Sequence, residues 1–329
     1  MKVSVIVPVR NEQKSIARVL DGLLSQTRKP DEIVITDGGS TDDTCAIIDR
    51  YIARGAPVRL IRENQALPGR GRNIAISQAR HDIIAMTDAG IELSDDWLEH
   101  LVKDFEKDKD LELVYGIQGQ SAHSLFEKCF VIVSIPEGHL ENGTRLHYPY
   151  LGSMAVKKHV WKKTGGFRED LRATEDILFF RQLKDMGFRS TVAPRAIAYW
   201  KPRSSLQEAA GLSYKYAECD AYSFIHVRTY LRKSLTYALG LFLLYEDARH
   251  PVLMAVIVCG FILNILLTCK KHWKEFVRLV SRKPQALVIL AAIIVTVDIW
   301  SMAGFFVGLF KRRQFLKKGA KIRCLARSS

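Results

Sequence analysis

The chain has 329 residues, of which 48% are hydrophobic and 26% charged, with 21 Gly and 10 Pro. That length corresponds to about two domains, and the composition excludes a disordered, collagen-like or disulfide-scaffold protein. The formal net charge is +14, and all of it is in one part of the chain: residues 1–200 hold 28 Lys/Arg and 28 Asp/Glu, whereas residues 201–329 hold 21 and 7. A neutral globular part is therefore joined to a basic part that also carries the longest apolar runs. Basic and apolar together point to an anionic membrane surface rather than to nucleic acid.

Val3–Val9 is a continuous apolar run, as expected of a strand buried on both faces. It is too short for a signal peptide and ends at once in Arg10, Asn11 and Glu12. Gln13–Ser25 has helical spacing, Glu32–Asp37 is a second apolar strand, and Thr41–Arg54 reads as a helix capped by Ser40 or Thr41 with acids in its first turn. Val58–Ile61 is a short strand, Gly71–Ala79 a helix, Asp82–Thr87 a fourth strand, and Ser94-Asp95-Asp96 opens an amphipathic helix to Phe105. Leu113–Gly119 and Leu151–Val156 are strand-like, and Thr174–Met186 is a helix with Thr174 as its cap. Alternating strands and helices predict an α/β fold, a mostly parallel sheet with helices on both faces. In such sheets ligands bind beyond the carboxyl ends of the strands. Three polar clusters stand there, each with a carboxylate: Arg10-Asn11-Glu12, Asp37-Gly38-Gly39-Ser40 and Asp88-Ala89-Gly90. Together they favour a nucleotide and cation site.

The six cysteines, Cys45, Cys129, Cys219, Cys259, Cys269 and Cys324, show no metal-like spacing and read as reduced structural thiols. Pro251–Cys269 is 19 residues without a charge, and Ala286–Phe310 is 25 residues with one, Asp298. At ~1.5 Å per residue each can span a hydrocarbon core of about 30 Å, so residues 251–310 read as a transmembrane hairpin. Leu235–Tyr245 is too short to span, so residues 206–250 read as membrane-proximal or interfacial and residues 311–329 as a basic tail. Asn264 and Asp298 fall at similar depth and could meet across the hairpin, either as structural glue or in a lipid or sugar pathway.

The polar clusters, in order, resemble the family 2 glycosyltransferases of GT-A fold (Rossmann-like). The residues that carry the resemblance are Val5-Ile6-Val7-Pro8-Val9-Arg10-Asn11-Glu12, Glu32 to Thr44 with Asp37-Gly38-Gly39-Ser40 at its centre, Gly69-Arg70-Gly71-Arg72-Asn73, Thr87-Asp88-Ala89-Gly90, Gly165-Gly166-Phe167 and Thr174-Glu175-Asp176. They cover about residues 2–205, so 1–205 is the expected catalytic domain. The resemblance implies inverting sugar transfer from a nucleotide-diphosphate sugar. It assigns donor-nucleotide contacts to Pro8, Arg10, Glu12 and Asp37, with Asp37 on the base. Arg70 and Arg72 would offset diphosphate charge. Asp88 matches the first acid of the Asp-x-Asp motif that holds Mg²⁺ or Mn²⁺; the second acid is replaced by Gly90. Glu92 is a further candidate ligand, and Mg²⁺ needs only one or two protein carboxylates. Asp176 matches the general base, with Glu175 beside it.

Residues 120–150, with His123, His139, Glu141 and His147, are the expected acceptor-facing region, and Trp200-Lys201-Pro202-Arg203 either closes over the donor or is a linker. The expected acceptor is a lipid-linked or cell-envelope glycan, and the expected partners are the donor, that acceptor and membrane lipids, with no nucleic acid. The catalytic domain should face the cytoplasm, where nucleotide sugars are found. The absence of a Gln-x-x-Arg-Trp motif favours single additions over processive synthesis. The alternative is a catalytically silent, membrane-bound nucleotide-sugar-binding scaffold, for which Gly90 is the motive. A nucleotidyltransferase is disfavoured by the lack of a triphosphate loop.

Overall fold

A computed structural model describes residues 1–135, 139–141, 144–146, 149–246 and 251–325. The chain forms two compact units, Met1–Ser121 with Gly138–Lys201, and Ala122–Glu137 with Pro202–Ser329.

The first unit contains, in chain order, β1 (Val3–Val9), α1 (Ile16–Leu24), β2 (Glu32–Asp37), α2 (Thr44–Ala53), β3 (Val58–Arg62), α3 (Pro68–Gln78), β4 (Ile83–Met86), β5 (Ile91–Leu93), α4 (Trp97–Lys107) and β6 (Leu113–Gln120). The chain then contributes α5 (Leu125–Ser134) to the second unit and returns through β7 (His139–Glu141), β8 (Thr144–Leu146), β9 (Met154–Lys157), α6 (Lys158–Thr164), α7 (Glu175–Met186) and β10 (Ser190–Trp200). Among the described residues, eight strands form one sheet in the order β3-β2-β1-β4-β9-β6-β10-β5, and β7 and β8 form a second, two-stranded sheet. The sheet is mixed. β1 is parallel to β2 and β4, β2 to β3 and β6 to β10, while β9 runs antiparallel between β4 and β6, and β5 antiparallel at the edge.

Alternation along each strand divides the core. Val3, Val5, Val7, Ile33, Ile35 and Ala85 pack under α1, α2 and α4. Ile6, Val34, Ile84 and Met86 pack under α3, α6 and α7. This second face carries the candidate site.

The structure departs from the sequence expectation at specific places. α2 begins at Thr44, its N-cap is Asp43 without a side-chain cap bond, and its first turn holds no acid. Ser40 instead bonds Asp37, and Asp42 accepts from the Thr44 amide, because short polar side chains compete with the backbone just ahead of a helix. β10 was not anticipated. Pro194 interrupts its alternation, and the pairing register shifts between Val192 and Ile197. In the expected acceptor region, His123 precedes α5, where its amide and that of Ser124 donate to Glu127 in a capping box. His139 and Glu141 fall on the β7–β8 hairpin, and His147 lies outside the described residues.

The second unit contains α5, α8 (Leu206–Ser223), α9 (Val227–Glu246), α10 (Pro251–Cys269), a 3-10 turn (Lys270–His272), α11 (Trp273–Arg282) and α12 (Ala286–Leu325). Among the described residues, two stretches are long and apolar enough to cross a membrane, Met254–Arg282 and Ala286–Leu316, with mean hydropathies of 1.8 and 2.3. The five described cysteine side chains are free thiols. Asp298 does not meet Asn264. Its carboxylate pairs with Lys233 of α9 at 2.5 Å and accepts a bond from Tyr237 at 3.1 Å. A carboxylate withdrawn from water is better balanced by a full cation than by an amide.

Lys233→Met should therefore cost about 2 kcal/mol, below the ~3–5 kcal/mol of a fully buried pair because Lys233 keeps some exposure. Thermal unfolding in detergent checks this. Adding Asp298→Asn to that variant should recover much of the loss, and an additive double variant would refute the coupling.

Candidate active site

The site is built around α3. Pro68 occupies its first turn, where a missing N–H is no loss, and the helix packs against β1 and β2. Gly71 sits against the ring of Pro8, 3.3 Å from an added Cβ, which fixes the depth of the helix. The next residue, Arg72, is buried on this face with only 6% of its side chain exposed. Its Nη1 donates to Glu175 Oε1 at 2.6 Å and its Nη2 to Asp88 Oδ1 at 2.7 Å. Its guanidinium also lies 5.7 Å from the centroid of the Phe167 ring, and that ring stacks on Phe179 of α7 at 4.1 Å. Burial works against its charge, but Asp88 and Glu175 outweigh burial and hold the guanidinium well above its ordinary range.

Asn73 fixes the loop that carries Phe167. Its Oδ1 accepts from the Phe167 amide and from Trp161 Nε1, both at 2.9 Å, and its Nδ2 donates to the Phe167 carbonyl and to Glu169. Gly165 and Gly166 turn that loop at φ of 77° and 76°, where side chains are rarely accommodated. The sequence named Asn73 only as part of a motif. Its organising role depends on a contact 94 residues away.

The start of α7 holds Glu175 and Asp176. Thr174 is at the N-cap position, as expected, but its side chain makes no cap bond and its backbone is left-handed at φ 72°. For a buried β-branched residue that conformation costs of order 1–3 kcal/mol, and it stands directly before the two acids. Glu175 Oε2 is buried and has no hydrogen-bond partner among the described residues. Asp176 accepts from the Ile177 amide at 2.8 Å. Burial, reinforced by the charge of Glu175 and opposed by Arg72, pushes its carboxyl up to about 6.

Asp88 follows β4 and is 36% exposed at its side chain; the bond from Arg72 goes to its Oδ1. Gly90 has open space around it, since an added Cβ would meet nothing within 4 Å. Glu92 is on β5 and pairs with Arg18 of α1 at 2.9 Å. Among the described residues no group of three or more His, Cys, Asp or Glu could hold a metal ion.

The residues expected at the nucleoside form a separate rim. Asp37 shares its strand face with Ile33 and Ile35, toward α1 and α2, and is buried. Its carboxylate accepts from the Gly39 and Ser40 amides at 3.1 and 3.0 Å and from the Ser40 hydroxyl. Ser40 Oγ accepts from the Asn11 amide, Asn11 Oδ1 from the Thr41 amide, and Thr44 Oγ1 from the Glu12 amide. Residues 10–12 and 37–44 are thereby fastened together. Arg10 is exposed, Pro8 and Glu12 are half-buried, and Glu12 accepts from the Ser15 hydroxyl. Arg70 is held by Glu63 at 2.7 Å and Glu169 at 3.3 Å. The two arginines grouped by sequence are thus placed differently, Arg72 inside on carboxylates and Arg70 nearer the surface. They are two apart on one helix and cannot share a direction, a signal present in the spacing.

Residues 4–126 match the model for Glycosyl transferase family 2. The poly(ribitol-phosphate) beta-N-acetylglucosaminyltransferase TarS of Staphylococcus aureus is 28% identical over 187 residues, 54% of this chain and 32% of that protein. EpsE of Bacillus subtilis is 28% identical over 267 residues, 76% of this chain and 82% of that protein. The chain thus spans about a third of the length of TarS. Among solved structures, the mannosyltransferase PcManGT from Pyrobaculum calidifontis, in complex with GDP-Man and Mn²⁺, is alike with a TM-score of 0.52 at 18% identity, covering 94% of this chain and 86% of that one. At that identity the likeness is one of fold, GT-A. The mixed sheet, the order of its strand-end motifs and these matches make residues 4–126 similar to a glycosyl transferase family 2 domain.

Proposed function

We propose that the chain is an inverting glycosyltransferase that moves one sugar from a nucleotide-diphosphate sugar to a lipid-linked or cell-envelope glycan, with its catalytic domain in the cytoplasm. The observation that carries this reading is Asp176, a half-buried carboxyl raised to about 6 at the head of α7 and joined through Glu175 and Arg72 to Asp88. The acceptor class is supported by the relative TarS, whose name describes sugar addition to poly(ribitol-phosphate). Attachment to a membrane is supported by the two apolar stretches.

The chemistry is a single displacement. The acceptor hydroxyl attacks the anomeric carbon from the face opposite the diphosphate. A carbon–oxygen bond forms to the acceptor as the bond to the β-phosphate oxygen breaks, and the electron pair leaves with the nucleoside diphosphate. Asp176 takes the hydroxyl proton; a carboxyl with a pKa near 6 is mostly ionised at pH 7 yet basic enough to accept it. Glu175, paired to Arg72, holds negative charge beside Asp176 and keeps it basic. Asp88 is partly exposed and accepts from Arg72 at its Oδ1, which fits a Mg²⁺ or Mn²⁺ ion that keeps most of its waters. Such an ion, when bound at Asp88, would neutralise the leaving diphosphate.

Asp176→Asn should lower transfer by about 10²–10⁴-fold, the range of general-base catalysis, while donor binding persists. Nucleotide release from UDP-, GDP- and TDP-sugars checks the first and thermal shift the second; unchanged turnover would remove Asp176 from the mechanism. In the parent enzyme the rate should fall as pH drops below about 6, since the protonated carboxyl cannot accept a proton. Replacing Arg72 by Met removes the cation that opposes this protonation, so the acid limb of the pH–rate profile should move to higher pH, and Arg72→Lys should restore it in part. Gly90→Asp should fold normally, given the open space there. It should also lower the Mn²⁺ concentration for half-maximal activity by about tenfold, ~1.4 kcal/mol; no change would separate Asp88 from metal binding.

A further inference from the structure

The apolar length of α12 is not free to cross a bilayer. One side of it is covered by helices that carry charge. At its start, Ala286 O accepts from Cys129 Sγ of α5 at 3.8 Å. From Thr296 onward it lies along α8. Trp300 meets the Tyr214 ring edge to face, with centroids 6.3 Å apart. An added Cβ at Gly304 would lie 2.4 Å from Tyr214 O, and one at Gly308 2.7 Å from Glu218 O. These two glycines, four apart, let the backbones approach. Arg312 donates to Tyr222 O at 3.3 Å, and Phe315 stacks on the Tyr222 ring at 4.1 Å.

α8 is not a lipid-facing helix. Glu208 is exposed in its first turn, where it accepts from the Ser204 amide, and further on the helix buries Glu218 and Asp220. Asp220 accepts from Tyr230 and Glu218 from Tyr222. Glu218 and Asp220 also pair with Lys311 at 3.7 Å and His226 at 2.9 Å, so the charge that hydrocarbon would penalise most is the exposed Glu208, which Thr296–Phe310 would carry into the bilayer with α8. Only Ala286–Val295 is left, ten residues or ~15 Å against a core of about 30 Å. The buried stripe of α12, Leu290, Ile293, Asp298, Ser301 and Phe305, faces protein, while Leu287, Val288, Ile299, Phe306 and Phe310 are exposed on other sides.

We infer that α12 lies in the plane of an anionic membrane, its exposed apolar side in lipid and α5 and α8 on its aqueous side, and that the α9–α10 pair is the part that enters the hydrocarbon. This rests on the membrane-attached reading given above. α10 exposes Phe261, Ile262, Leu263, Leu266 and Leu267, and α9 exposes Leu239, Leu241 and Phe242. α9 starts beside α12, with Tyr230 stacked on Phe305 at 4.3 Å. α10 ends beside α5, where His272 bonds Ile135 O at 3.0 Å. The pair therefore leaves and returns on the side of the aqueous helices. Between α10 and α12, α11 exposes Trp273 and Val277 among Lys274, Arg278 and Arg282, the composition of an interfacial basic helix. The excess of Lys/Arg over Asp/Glu in residues 201–329, 21 against 7, selects anionic headgroups.

The two arrangements differ in sidedness. If α12 crossed, Arg278 and Arg313 would face opposite sides; if it lies in plane, they face the same side. Full-length Arg278→Cys and Arg313→Cys variants, both at exposed positions, are treated with a membrane-impermeant maleimide in inverted vesicles and in spheroplasts. Band shifts are compared with the parent protein. The expected result is extra labelling at both positions in the same preparation and at neither in the other. Labelling of one position from each side overturns the in-plane placement and leaves membrane attachment intact. Recovery of the parent protein in the soluble fraction overturns attachment, and this inference with it. Sugar transfer is assayed separately, so neither outcome bears on the catalytic reading.

Discussion

The buried guanidinium of Arg72 is the interaction on which the rest of the site depends. One cation joins the end of β4, through Asp88, to the head of α7, through Glu175. These segments are distant in sequence, and residues of β4 and α7 pack on one face of the sheet, where β9 lies between β4 and β6. A buried charge with one carboxylate partner removed would be costly; with both in place it fixes their spacing. In the proposed reaction the spacing matters because Asp88 is the residue that would hold a metal ion beside the diphosphate, and Glu175 adjoins Asp176, the proposed base.

The surrounding structure supports that cation. Gly71 against Pro8 sets how deep α3 lies, Asn73 locks the loop that carries Phe167, and Phe167 covers the guanidinium while stacking on α7. Thr174 is held in a strained backbone conformation directly ahead of the acids. Strain beside a charged cluster persists only where packing over-determines it, and here the packing is that of the core under α3, α6 and α7.

Much of this was legible in the sequence. The continuous apolar runs of β1 and β2 mark strands buried on both faces, and the polar clusters at their ends mark the sheet edge proposed to bind the donor. Glu175 and Asp176 were readable as acids at a helix start. What escaped was long-range. β10 was hidden by Pro194 and a register shift, and the partners of Asp298 lie on a helix whose Arg228, Arg232 and Lys233 interrupt its apolar run. Arg70 and Arg72 belong to one motif; their spacing of two residues turns them in different directions, and burial then separates a surface ion pair from an internal strut.

The most direct test of the account is a structure of the protein with a nucleotide-diphosphate sugar and Mn²⁺ bound. The account predicts that Arg72 stays on Asp88 and Glu175, with the diphosphate beside the Asp88 carboxylate and the anomeric carbon facing Asp176. A guanidinium that leaves both carboxylates for the diphosphate, or a donor seated away from Asp88, would contradict it.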